Sequence, residues 1–282
     1  MAISTTSYFS NALVGVPQVA GEYVDLYVSN TLPKYALGTK YERQDGCIFR
    51  YGYFAGITTA GTLVSSTAAD VSISYAATST AIAPASTYQM PDEIVGVYPG
   101  SIGSRYLILG ITTTGNANYY AGAYCTVVSG TGAGYTYRVR GNVAGGTPAT
   151  NMMRLNLYDQ IVTALDGTSI IAIGGNKFAE LAASASSTAS VVAGVSMVNH
   201  VAATWGWVQT QGLCGVLNDA GTTATLGQLL TVSPTVSGAV AAWAATGTSG
   251  AIGNANGQSP IVGYCANVGV TKAFSQVYLQ LE

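Results

Sequence analysis

The sequence predicts an all-β protein: antiparallel β-barrel or β-sandwich domains with Gly-rich turns, an extended N-terminal arm and few short helices. Three observations predict it. Apolar and polar residues alternate with period two over many short segments, the pattern of strands that bury one face. Thr, Tyr and Val, which suit a pleated and half-buried surface, fill those segments. The 35 glycines recur every several residues, and no long Glu, Lys and Leu periodicity of the kind an amphipathic helix needs is present.

The first 20 or so residues read as an extended arm. Residues 23–28 place Val24, Leu26 and Val28 on one side and Tyr23, Asp25 and Tyr27 on the other, so a strand is expected there. Asp45-Gly46, between Tyr41-Glu42-Arg43 and Ile48-Phe49-Arg50, suits a tight hairpin, and Asp166-Gly167, between Ile161-Val162 and Ile170-Ile171, suits a second. A Ser/Thr/Ala run over residues 65–86 reads as a long loop or an irregular edge. Residues 135–140 send Tyr135, Tyr137 and Val139 one way and Thr136, Arg138 and Arg140 the other. Residues 153–158 repeat the alternation, and Val277, Leu279 and Leu281 form one face of the final segment. Short helices are expected at most at residues 177–183 and 239–245.

Charge divides the chain. Charged residues are 8 % of the total, where about 25 % is usual. Only Asp219, Lys272 and Glu282 lie beyond residue 180. A boundary is therefore expected near 180–192, where residues 181–190 are small and polar enough for a linker or exposed loop. The expected organisation is an N-terminal arm and first strand over 1–36, a β-rich domain over 37–180 and a low-charge C-terminal β-domain over 181–282.

Low charge can mean disorder, membrane insertion or surfaces hidden in an assembly. With 19 tyrosines and abundant Val, Ile and Leu, disorder is excluded. Uncharged stretches are broken throughout by Gly, Ser, Thr, Asn, Gln and Pro, which excludes membrane-spanning helices. The first residues show neither a basic nor an apolar leader region, so no export signal is expected. A net charge of −2 with scattered Lys and Arg, Arg138 and Arg140 being the nearest to a cluster, gives no footprint for nucleic acid.

Chemistry needs titratable groups brought together, and few are offered. His200, the only histidine, reads as a structural hydrogen-bonding residue beside a strand. No Gly-x-Ser-x-Gly elbow supports a Ser/His/Asp arrangement. Asp92 and Glu93 are adjacent, so on a strand they point to opposite faces, and a solvated turn after Pro91 fits better. Gly130-Thr131-Gly132-Ala133-Gly134 has the glycines of a phosphate loop, but a strand follows where a helix N-terminus is required, so it reads as a hairpin loop. Gly174-Gly175-Asn176-Lys177 lacks the P-loop spacing. Cys47, Cys125, Cys214 and Cys265 match no zinc pattern and read as buried thiols acting as small hydrophobes; a disulfide formed after release from a reducing cytoplasm is the alternative. Trp205-Gly206-Trp207 places two rings on one face of a strand, with Gly206 admitting another backbone on the opposite face. A core strand is the bland reading of that triplet, and an aromatic platform for sugar the sharper one. No catalytic, cofactor-binding or metal residue is assigned, and no cofactor is expected.

Several stretches together resemble the capsid cement, or head-decoration, proteins of tailed double-stranded DNA bacteriophages. The first runs from Leu37-Gly38-Thr39-Lys40 through Asp45-Gly46-Cys47-Ile48-Phe49-Arg50-Tyr51 to Ala60-Gly61-Thr62-Leu63-Val64. The second comprises Tyr120-Ala121-Gly122-Ala123-Tyr124, residues 130–139 and Leu157-Tyr158-Asp159. The third comprises Val192-Ala193-Gly194-Val195, residues 205–212, Pro260-Ile261-Val262-Gly263-Tyr264 and the final strand. The resemblance spans most of the chain through short, variable, Gly-rich elements. It implies a non-enzymatic virion protein on the outer surface of the capsid, assembled in the host cytoplasm. Its partners would be the major capsid protein lattice and copies of itself in a homotrimer, and it would stabilise the head against the pressure of packaged DNA, without direct contact to nucleic acid or membrane. A tail, fibre or turret subunit contacting the host surface, and a carbohydrate-binding protein or carbohydrate-active enzyme, are the alternatives.

Overall fold

The computed structural model describes residues 24–66, 71–74, 100–110, 120–143, 152–185, 191–219, 224–243, 260–268 and 273–282. Among them every regular element is a strand, and no helix is long and apolar enough to cross a membrane. The fold is all-β. Its strands gather into two compact units, one formed by Met1–Ala68 with Lys177–Glu282 and the other by Ala69–Asn176. The charge pattern draws its line at 180–192; the packing draws its lines at 68/69 and 176/177.

The first unit contains a closed five-stranded barrel. β2 (Ile48–Phe54), β10 (Leu181–Ala183), β3 (Leu63–Ser66), β11 (Val192–Ser196) and β12 (Thr204–Leu217) neighbour one another in that order, and β12 closes the ring on β2. β1 (Lys40–Glu42) joins β2 as a hairpin through Asp45-Gly46, where Gly46 has φ +80°. Five strands leave a narrow interior, so large side chains fit only beside small ones. Phe54, Val64, Phe178, Leu181, Ala193 and Val208 fill it. Gly52 and Gly206 lie directly opposite each other on β2 and β12. A Cβ on Gly52 would stand 2.5 Å from the Leu181 side chain, and one on Gly206 would stand 2.2 Å from the His200 ring.

β12 is long enough to serve two sheets. Up to a bulge at Gln209/Gln211 it pairs with β2, and from Gln211 to Leu217 it pairs with β16 (Phe274–Gln280). Gly212, at φ +92°, sits just past the bulge, where a Cβ would meet the Cys47 sulfur at 2.7 Å. From β12 the sheet continues through β16, β15 (Ile261–Asn267), β13 (Leu229–Val232) and β14 (Val240–Ala242). Its inner face, including Val216, Leu230, Val262, Val277 and Leu279, packs on Leu63, Val192 and Val195 of the barrel strands.

The second unit is one antiparallel sheet in the order β4 (Val71–Ser74), β9 (Ile170–Gly174), β6 (Tyr124–Ser129), β7 (Thr136–Asn142), β8 (Met152–Leu157) and β5 (Tyr106–Gly110). Alternation sends Cys125, Val127, Tyr137, Val139, Met153, Leu155, Leu157, Ile171 and Ile173 into one apolar core, as expected for 135–140 and 153–158.

Five local expectations are corrected. Residues 24–28 turn instead of extending: the Asp25 carboxylate accepts the Tyr27 N–H at 2.9 Å, and this local bond competes with a strand ladder while Leu26 is buried against Tyr51 and Trp207. Residues 177–183 are not helical, because the carbonyls of Phe178 and Leu181 accept bonds from Tyr53 and Ala55 at 3.0 Å each, and Glu180 takes φ +52°. For the same reason residues 181–184 are no linker: Leu181 is fully buried inside the barrel. Within 239–245, Val240–Ala242 is strand β14. Asp166-Gly167 does not join two strands. Asp166 accepts bonds from Thr168 at 2.9 and 2.6 Å and from the Thr131 hydroxyl at 2.5 Å, which clasps this turn to the β6–β7 hairpin loop. The N-terminal arm, Asp92, Glu93 and residues 186–190 lie outside the described residues, as does most of the 65–86 run.

Candidate docking face

His200 is buried, its ring stacked on Phe54 at 3.6 Å between centroids, with Nδ1 within 3.0 Å of the Ser29 hydroxyl and 3.2 Å of the Thr204 hydroxyl. Its Nε2 has no hydrogen-bond partner among the described residues. Burial lowers its pKa to about 4, so the imidazole is neutral at pH 7, and among the described residues no carboxylate orients it as a general base. Its neighbour across Gly206 is thus a side chain, where a backbone was expected.

Thiol chemistry is suppressed in the same way. All four cysteines are buried and unpaired. Burial pushes the thiols of Cys125 and Cys214 up to about 12 and raises Cys47, whose neighbour Asp45 raises it further. Cys47 and Cys214 share the wall of a cleft of about 390 Å³ with Arg43, Asp45, Met197 and Gln209. A nucleophilic cysteine needs the opposite shift. Among the described residues no three His, Cys, Asp or Glu side chains are grouped to hold a metal ion.

The first glycine motif is a turn, and the second is the end of β9 with the segment that follows it. Residues 130–134 connect β6 to β7, closed by a 2.8 Å bond from the Gly134 N–H to the Val127 carbonyl. Lys177, after Gly174 and Gly175, lies over the Phe178 ring at 5.1 Å and donates to the Leu281 carbonyl at 3.4 Å. Trp205 and Trp207 do share one face of β12, but that face is covered. Trp207 is 2 % exposed and packs against Tyr51 at 5.1 Å and Tyr35 at 5.3 Å, while half-buried Trp205 meets Tyr53 at 4.9 Å. This is a packed core strand.

The feature that sequence reading missed lies on the outer face of the sheet β12–β16–β15–β13. Register brings Leu213 opposite Tyr278, Tyr278 opposite Tyr264 and Tyr264 opposite Leu229, one row across four strands. The two tyrosine rings stack at 5.2 Å with an interplanar angle of 9°. Leu213 is 48 % exposed and Tyr278 38 %, and Phe274 and Ile261 extend the apolar surface at 53 % and 50 %. Gln276, Gln280 and Gly215 complete the face. No residue of β13, β15 or β16, nor of β12 from Gln211 onward, carries a charge. An exposed apolar row of this kind is a candidate interaction surface.

Compared with protein-family models, with curated proteins and with solved structures, the chain gives no match.

Proposed function

We propose that this chain is a non-enzymatic structural protein of a tailed-phage particle, one that attaches to the outer surface of the capsid lattice and reinforces it. The observation that supports the reading is the charge-free outer face of β12–β16–β15–β13, with its row Leu213, Tyr278, Tyr264 and Leu229. A face without ions is covered by a partner without the several kcal/mol that desolvating a buried charge costs, and aromatic residues are enriched at the core of such contacts. Glutamines and backbone at the margin supply hydrogen bonds. A structural role also accounts for the polar groups of the barrel, since His200 and the thiols are held in their neutral, unreactive forms.

Attachment in many copies turns weak single contacts into strong overall retention. A homotrimer, which engages the lattice through three such faces at once, is part of the proposal. Quantitative mass spectrometry of purified particles tests the reading. It requires copies in fixed stoichiometry with the major capsid protein, and a count of zero or of a few per head would remove it.

A further inference from the structure

The second unit carries an exposed row of different chemistry, and we infer that it binds an acidic polysaccharide whose sugars bear ring-attached carboxylates. On the outer face of this sheet Tyr124 of β6 lies opposite Arg138 of β7, and the N–H of Tyr158, the residue just past the end of β8, donates to the Arg138 carbonyl at 3.0 Å, which places Tyr124, Arg138 and Tyr158 side by side. All three are exposed.

The guanidinium of Arg138 lies over the Tyr158 ring at 5.0 Å. It forms no ion pair among the described residues; the neighbouring Asp159 carboxylate accepts from the Arg138 backbone N–H, at 3.4 Å. The cation is therefore oriented by an aromatic face while its fork of donors stays open to solvent. Directly along the same two strands, the hydroxyls of Thr126 and Thr136 bond each other at 2.9 Å and offer further donors and acceptors.

Each part of this row matches one part of a uronate sugar. A pyranose ring stacks on an exposed aromatic ring, here Tyr124. Its carboxylate leaves the ring edge within a bond of C5, so a ring stacked on one strand presents it to the next strand, about 5 Å away. That strand holds Arg138, whose planar guanidinium takes a carboxylate through two parallel bonds. Neutral sugars lack the anion, and unbranched anions without a ring lack the stacking. The row belongs wholly to the second unit and makes no use of the charge-free face of the first, so this inference and the capsid reading stand or fall separately.

Titration calorimetry of the full chain tests it, with a soluble uronate polymer, dextran sulfate and dextran as the three probes. The uronate polymer is expected to bind and dextran to give no heat. Arg138→Gln is expected to weaken uronate binding about tenfold or more, and Arg138→Lys to restore only part of it, because an ammonium keeps the charge and loses the two-pronged geometry. Tyr124→Ala removes the stacking platform and is expected to weaken binding to a similar degree, with circular dichroism confirming an intact fold. Three results overturn the inference: no uronate binding, binding that Arg138→Gln leaves unchanged, or uronate bound no better than dextran. Binding of dextran sulfate with no response to uronate overturns the carboxylate assignment.

Discussion

The outer face of β12–β16–β15–β13 in the first unit and the outer face of β6–β7–β8 in the second are made by one rule. In both, alternate residues fill an apolar core and the intervening ones line up in a row across neighbouring strands. The rows differ in content. One reads Leu213, Tyr278, Tyr264, Leu229 and holds no charge; the other reads Tyr124, Arg138, Tyr158 and centres on a cation. A charge-free row suits a dry partner surface of fixed shape, and a cationic aromatic row suits a hydrated anionic ligand. The cores differ as well. The polar groups buried in the second unit, such as Asn142 and Ser169, are hydrogen-bonded, whereas the first unit buries His200 inside a barrel with one ring nitrogen unpartnered among the described residues.

The largest expected effect comes from placing a charge on the first face. Tyr278→Asp is expected to weaken attachment to heads about a hundredfold, since a buried unpaired carboxylate costs about 3 kcal/mol or more, whereas Val128→Asp, on an exposed position of the second unit, leaves attachment unchanged. Co-sedimentation with heads stripped of the native copies measures both. Equal loss from the two variants would erase the distinction between the faces.

Gly206→Ala breaks the barrel in particular. Its Cβ would stand 2.2 Å from the His200 ring, in a site walled by Phe54, so a loss of about 3 kcal/mol is expected in urea unfolding of the first unit's signal. Only the first unit should respond.

Acid separates the two cores next. The folded-state pKa of His200 is lowered to about 4 from 6.5, so above pH 6.5 the ring is neutral in both folded and unfolded chains and contributes no pH dependence. As pH falls from 6.5 toward 4 the unfolded chain takes up a proton that the folded chain refuses. Stability therefore drops, by up to about 3 kcal/mol at the lower limit. The upper part of this window lies above the carboxylate range, and His200 is the only histidine, so the slope there is its own. Urea midpoints between pH 7 and 5 should fall for the parent chain and stay level for His200→Gln.

The smallest effect belongs to the ion pair of Arg50 and Glu282. Its two bonds measure 2.6 and 2.8 Å, and the Thr210 hydroxyl donates to the same carboxylate at 3.1 Å. Although burial pushes the Glu282 carboxyl up, Arg50 prevails and holds it below its ordinary value. Glu282→Gln is expected to cost about 1 kcal/mol near neutral pH, and the difference from the parent should vanish as acid protonates the carboxylate. Thermal melts at pH 7 and pH 3 check it.

Much of the fold was legible in the residues. Met153, Leu155 and Leu157, Tyr137 and Val139, and Val277 and Leu279 all point inward as their alternation requires, and Asp45-Gly46 turns the hairpin it suggested. The barrel was not legible, because one of its staves is the three-residue Leu-Ala-Ala strand β10, too short to show an alternation. Nor could residues 24–28 reveal that an Asp25 side chain would outbid the strand ladder. The docking row was invisible for a different reason. Leu213, Leu229, Tyr264 and Tyr278 become neighbours only through the register of four strands, and local sequence carries no register between distant strands. What the sequence did show was the lack of charge beyond residue 180, the chemical character of that face without its address. Arg138 stands in the sequence beside Arg140 as the nearest thing to a basic cluster; its meeting with Tyr124 and Tyr158 depends on β6 and on the segment just past β8.

A density map of the particle with this subunit located in it tests the central claim most directly. The charge-free face is expected to lie against the shell, with the Leu213, Tyr278, Tyr264 and Leu229 row covered by the major capsid protein. A subunit whose row faces solvent, or one found on the tail instead of the head, would contradict the account.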